Sequence, residues 1–281
     1  MTEQTTGGGT VALRATNDLA VDADALALMH AAGPTDDLRG VSITPPYFTV
    51  VQATSAFMRR GHENYVEGAH AGDLIDTLSR RVRADAGFIP CHFEVRYTEF
   101  KPNLGPLVKM WGTSREGWDA CAPVDRGPRI TAEGNEITES DVFTGLVVDA
   151  DGSSIPAIFS MASTGRRCAR RMQALISSLE LKTPSGEPFT PPMYARCYII
   201  ATAEKTAEEK RWFIPTCSPG PLTLALPHGR KLFEKAERLR SAVLEGRVEH
   251  APPPEAAQTR DDGGESAARG PLPDDDSTIP F

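Results

Sequence analysis

The stretch FIPCHFEVRYTEF, residues 88–100, alternates Phe93, Val95 and Tyr97 with Glu94, Arg96 and Thr98. Successive side chains of a strand point to opposite faces, so this period of two predicts one long strand with an aromatic face and a charged face. Upstream, residues 47–53 (YFTVVQA) show the same enrichment in β-branched and aromatic residues. Between the two, Gly68 to Gly72 reads as a turn into a short strand at residues 73–76. Downstream, residues 142–149, a turn at Asp151-Gly152 and residues 155–161 predict a β-hairpin. Residues 194–203 and 211–214 add two strands joined by a charged loop, residues 204–210. Two amphipathic helices complete the pattern. One spans residues 163–179, with Ser163 or Thr164 as N-cap and Cys168, Met172, Leu175, Ile176 and Leu179 on one stripe. The other spans residues 226–246, with Leu232, Phe233, Ala236, Leu239 and Val243 inward. A third, short helix is expected to start at Asp22 or Asp24 and end at His30. The fold class expected is α+β, mainly β, with two or three helices.

With 281 residues, 40% apolar and 24% charged, the chain can bury a core as one or two domains. Residues 1–20 read as a flexible Thr/Gly-rich arm, residues 21–250 as the folded domain, and residues 251–281 as a disordered Pro/Ala/Asp-rich tail. Within the domain, residues 102–139 are rich in Gly and Pro and read as a long loop or insertion. The net charge of −8 is unevenly divided: the tail holds two basic and seven acidic residues, leaving −3 for residues 1–250. Local patches therefore say more about binding than the whole-chain sum. No run approaches the roughly 18–20 apolar residues of a membrane span, and residues 1–20 lack a signal-peptide pattern. A soluble cytoplasmic protein without a membrane partner is expected. The five cysteines are spaced without any CxxC pair, which favours free thiols over a zinc site.

No phosphate loop, nucleophile elbow or HExxH motif is present, so the expected activity is binding without catalysis, cofactor or metal. His62 and Glu63 beside Asp73 and Asp76 could be drawn as a nuclease metal site, but a solvated loop accounts for them more simply. Sequence-tolerant binding of a single strand needs cations for phosphates and aromatic faces for bases. Residues 93–101 offer both: Arg96 and Lys101 for phosphate, Tyr97 or Phe100 for stacking, and Phe93 on the aromatic face it shares with Tyr97. The competing reading makes that face the core of a sheet. Arg166, Arg167, Arg170 and Arg171 spread over an arc of about 140° of the first turns of a helix. Cations there oppose the helix dipole, so an anion is expected nearby, either a phosphate backbone or an internal carboxylate. Among the three tryptophans, Trp111, beside Lys109 in the Gly/Pro-rich stretch, is preferred for stacking over Trp118 and Trp212.

The last eight residues, DDDSTIPF, place Asp274, Asp275 and Asp276 ahead of Ile279, Pro280 and Phe281. This arrangement resembles the C-terminal tip of bacterial single-stranded DNA-binding proteins, with Ser277 and Thr278 as a departure. The resemblance implies docking of those six residues on replication and recombination enzymes, the ring buried and the carboxylates on a basic rim. A second resemblance covers residues 65–248. Residues 65–75 (YVEGAHAGDLI), 89–97 (IPCHFEVRY), 162–167 (ASTGRR) and 191–195 (PPMYA), running on to Trp212, look like a tailed-phage family of single-stranded DNA-binding proteins. That resemblance implies an OB-type β-barrel core, phage origin and action in the host cell cytoplasm. The expected role is binding and protection of single-stranded DNA without sequence preference, with self-association left open. Two alternatives stand beside it: a recombination mediator or annealing accessory protein, and an acidic DNA mimic or inhibitor. The acidic tail is also expected to compete with DNA for the basic groove.

Overall fold

A computed structural model of the chain describes residues 42–103, 105–122, 127–207 and 210–251. The expected arm, the short helix near residues 22–30 and residues 252–281, including Asp274–Asp276 and Ile279–Phe281, lie outside the described residues. The described part is mostly β, with three α-helices.

Three short strands, β1 (Phe48–Val50), β2 (Leu74–Asp76) and β3 (Val82–Arg83), form a small antiparallel sheet in that order. The main sheet is built on the long β4 (Ala86–Phe100), which contains the whole alternating stretch, and on β7 (Glu136–Val148). Between them lie β5 (Leu107–Gly112), α1 (Glu116–Ala120) and β6 (Arg129–Ile130). The stretch expected to be a loop thus has secondary structure of its own, and β7 begins at Glu136, six residues before its sequence signal. β8 (Ser154–Ala162) pairs with β7 along its length, from Ser140↔Ala162 to Val148↔Ser154. After α2 (Arg166–Ser177) and the small hairpin of β9 (Leu181–Lys182) and β10 (Pro188–Phe189), the chain returns as β11 (Arg196–Ala207) to the free side of β4. The order β11-β4-β7-β8 is a Greek key, three neighbouring strands plus a fourth returning beside the first. β12 (Lys210–Leu222) adds to β11, and α3 (Gly229–Leu244) closes the described chain.

The ladders of this sheet end at β12 on one side and at β8 and β6 on the other; beyond β8 there is a single parallel bridge, Tyr47↔Ile158, and among the described residues no ladder closes the sheet into a barrel. Part of the reason is written in β12: Pro215, Pro219 and Pro221 have no N–H to offer a further strand. Of residues 204–210, expected as a loop, residues 204–207 and 210 instead carry part of the β11–β12 ladder, which runs to Ala207↔Lys210.

Helices cover both faces of the sheet. Phe88, Phe143, Phe159, Tyr198 and Ile200 pack under Cys168, Ala169 and Met172 of α2, with Phe159 edge-on to Phe88 (5.9 Å) and Phe48 (5.6 Å). On the other face Ile89, Cys91, Leu146 and Val148 pack against Leu232, Ala236 and Leu239 of α3. Burial from both sides explains why residues 141–148 are buried without alternation. A register shift between Pro90 and His92 adds one residue to β4, and the Cys91 carbonyl accepts a hydrogen bond from Arg240 of α3 at 3.0 Å. Gly145 lets β7 approach: a Cβ there would fall 2.6 Å from the Phe88 ring and closer still to the Ile89 carbonyl oxygen. Neither Ser163 nor Thr164 caps α2; residues 163–165 form a 3₁₀ turn and Gly165 holds the N-cap position. All five cysteines are free and buried. Among the described residues no helix is long and apolar enough to cross a membrane.

Candidate nucleic-acid interface

The charged face of β4 is engaged internally. Arg96 Nε donates to Glu94 Oε1 at 2.5 Å, and His92 Nε2 and His250 Nε2 lie 3.7 and 3.5 Å from the same carboxylate. Burial alone would raise the Glu94 pKa, but the bonds from His92 and Arg96 and the charges of Arg96 and His250 hold it down to about 2. The His250 side chain is 2% exposed. Burial, with Arg96 and His92 adding and Glu94 opposing, pushes its pKa down to about 4. Arg96 is therefore committed to a half-buried ion pair rather than open to a phosphate.

The aromatic face of β4 belongs to the core. Phe93 packs on Phe143 with centroids 4.9 Å apart and Tyr97 is only 2% exposed; Phe100, on the opposite face, is 4% exposed. The Tyr97 ring lies 5.4 Å from that of Trp118, and its hydroxyl donates to Glu139 Oε1 at 3.2 Å. In this conformation neither Tyr97 nor Phe100 offers a face to a base. The expectation for Trp111 changes as well. Its Nε1 donates to the buried Glu99 at 3.0 Å, Lys109 Nζ sits 3.3 Å from its ring centroid, and a Cβ on Gly117 would come within 2.5 Å of the ring. Trp118 contacts Tyr97 and has the Arg129 guanidinium 4.5 Å from its ring. Together with Cys121 and Ile137 these residues form the core of a small lobe. Lys101 and Lys109 remain exposed on it.

The arginines of α2 divide. Arg166 lies against Asp141, with Nε and one terminal nitrogen at 3.1 and 3.2 Å, and pairs with Glu139. Arg171 Nε donates to the Cys217 carbonyl of β12 at 3.1 Å. These two tie the helix to β7 and β12, and the anion demanded by Arg166 is an internal carboxylate pair. Arg167 and Arg170 are exposed. The drawn metal site dissolves as well: Asp76 is fully buried and bonded to Arg83 and Ser79, while His62 Nδ1 accepts the Asn64 N–H and Asp73 accepts the His70 N–H.

Sequence reasoning placed strands at residues 194–203 and 211–214 but missed that their pairing runs on as an arm. Its pairing with β4 stops at Ile200↔Ala86, and both strands continue past that end as a two-stranded ribbon. Phe213 faces inward: Gln52 exchanges two hydrogen bonds with its backbone (2.9 and 2.8 Å), and a Cβ on Gly72 would lie 2.7 Å from its ring. Trp212 therefore takes the opposite face, directly across from Lys205, with the Ala207↔Lys210 pair two residues on. Lys205, Lys210 and Arg211 are exposed, and Arg211 is paired with Glu204. The signal in the sequence was the alternation of Trp212 and Ile214 about Phe213.

No curated protein and no solved structure matches the chain. A family model does match, over residues 16–249, which is most of the chain and reaches from before the described residues to the end of the β-sheet domain. The chain belongs to the family of Pam3 phage gp34-like proteins, a phage family.

Proposed function

We propose that this protein binds and protects single-stranded DNA without sequence preference during phage DNA replication or recombination. It does so on an OB-type sheet and recruits partner enzymes through the acidic segment that carries Asp274–Asp276 and Ile279–Phe281. One observation carries the reading. Within the open seven-stranded sheet the path β12-β11-β4-β7-β8 pairs in the sequence expected of a five-stranded Greek-key barrel, a fold in which the connections 1–2 and 4–5 contribute to oligonucleotide binding, and this supports the reading. Exposed cations stand beside both connections: Lys101 and Lys109 between β4 and β7, and Lys205 and Lys210 on the two strands that flank the β11–β12 connection, whose own residues, Glu208 and Glu209, are acidic. A sequence-tolerant site needs little more than such cations and a few ring faces.

The test is fluorescence anisotropy of labelled oligo-dT and of an equal-length duplex. Both are titrated with the full chain and with a form lacking residues 252–281. Ala251 is kept because its carbonyl accepts the Tyr47 hydroxyl at 2.7 Å. The reading expects preference for the single strand, a salt slope of about −0.7 per phosphate contact, and tighter binding by the shortened form at low salt. Absence of binding by both forms removes the DNA-binding reading. Unchanged affinity on shortening removes the competition by the tail.

A further inference from the structure

We propose that the outward face of the β11–β12 arm, Trp212 with Lys205 and Lys210, is the stacking site for an unpaired base; this rests on the single-strand reading above. The ladder places these three side chains together: Lys205 is opposite Trp212, and Lys210 lies two residues before Trp212 on the same strand. Their common face is fixed by Phe213, whose ring and backbone are held from the other side by Gly72 and Gln52. The flanking positions of that face on the facing strand, Ala203 and Ala207, carry short side chains.

What distinguishes Trp212 from the other tryptophans is its surroundings. Trp111 and Trp118 are packed within the lobe formed by Tyr97, Cys121 and Ile137. Trp212 and its neighbour Ile214 are half-buried but belong to none of the hydrophobic clusters of the described residues. A large aromatic on a two-stranded ribbon, outside the core and flanked by two exposed ammonium groups, has the composition of a base-stacking platform beside a phosphate track. The acid on these strands, Glu204, points with Phe213 to the other face and is paired with Arg211. Sequence-independent recognition follows, since every base has a π-face and both lysines address only the backbone.

The experiment uses the full chain and a labelled oligo-dT at several salt concentrations. Trp212→Ala should weaken binding by about 5- to 160-fold, the range for losing one stacked base, and Trp212→Phe should recover most of it. Lys205→Gln with Lys210→Gln should lower the salt slope by about 1.4, or 0.7 per lost contact. Quenching of tryptophan fluorescence by oligo-dT should fall sharply in Trp212→Phe, any remainder coming from Trp111 beneath Lys109. If Trp212→Ala disturbs folding by circular dichroism, the lysine pair, exposed and outside the core, carries the test. Wild-type binding that is unchanged in Trp212→Ala and in the lysine pair overturns this site while leaving the single-strand reading standing. Unchanged binding together with loss of an oligomer in sedimentation makes the face a contact between copies and likewise overturns it. No single-strand binding by the wild type brings down both.

Discussion

Replacing Arg83 by methionine should cost this protein more than the loss of any exposed charge could. The Arg83 side chain is 3% exposed and bridges two carboxylates, Asp76 Oδ2 and Asp149 Oδ1, each at 3.1 Å. It thereby fastens β2 and β3 to the β7–β8 turn. Asp76 is fully buried, so the Arg83→Met change would strand a carboxylate whose remaining partners are the Ser79 N–H and hydroxyl at 2.6 and 2.5 Å. Breaking a buried pair from one side costs about 3–5 kcal/mol, chiefly through the charge left behind. For a domain of this size that lowers the unfolding midpoint by roughly 6–20 °C. Burial raises the Asp76 pKa, but Ser79 and Arg83 outweigh it and hold the carboxyl below its ordinary value. A depressed carboxylate stabilises the fold above its unfolded pKa, about 3.9, and the contribution fades as pH falls through the folded value. Urea denaturation of wild type, Arg83→Met, Asp76→Asn and the double variant at pH 7 forms a closed cycle. The double variant should be clearly more stable than the sum of the two single losses predicts, because Asp76→Asn removes the charge that Arg83→Met would leave orphaned. Additive losses, or a cost below about 1 kcal/mol for Arg83→Met alone, would refute the bridge as described.

His250 is neutral in the fold with a pKa near 4, against about 6.5 when unfolded, so stability should decline as pH drops from 6.5 toward 4. His250→Gln should flatten that decline in unfolding curves measured across the window, while an unchanged slope would assign it to other groups. Gly145→Ala would press a methyl into the Phe88 ring and the Ile89 carbonyl at the centre of the β4–β7 pair. A loss of about 1–3 kcal/mol or more is expected, read as a lower melting midpoint or loss of soluble protein. Trp111→Phe removes a donor from buried Glu99 and should cost about 1–3 kcal/mol of stability while leaving oligonucleotide affinity within about twofold, checked by denaturation and anisotropy on the same sample.

Legibility followed the range of the forces involved. The alternation of residues 88–100, the hairpin around Asp151-Gly152 and the stripe of Cys168, Met172 and Leu175 all appear in the fold, because a strand or helix face is a local property of the chain. The insertion was misread because its order comes from packing of Trp111 and Trp118 against Tyr97 and Glu99, which its Gly and Pro content conceals. Residues 204–207 and 210 were misread for a related reason: charges on a ribbon that leaves the sheet look the same as charges on a loop.

The sequence by itself determined where most of the strands and the two long helices fall, and that Phe93 and Tyr97 share one face while Glu94 and Arg96 share the other. Only the tertiary structure decided which face is buried and which cations are occupied. Tyr97 is covered by Trp118, Arg166 is paired with carboxylates 25 and 27 positions upstream, and Trp212 is turned outward because Phe213 is held by Gln52, 161 positions away. Periodicity sets the direction of a side chain relative to its neighbours in the chain. Burial and pairing depend on what arrives from elsewhere, and that is a property of the folded molecule alone.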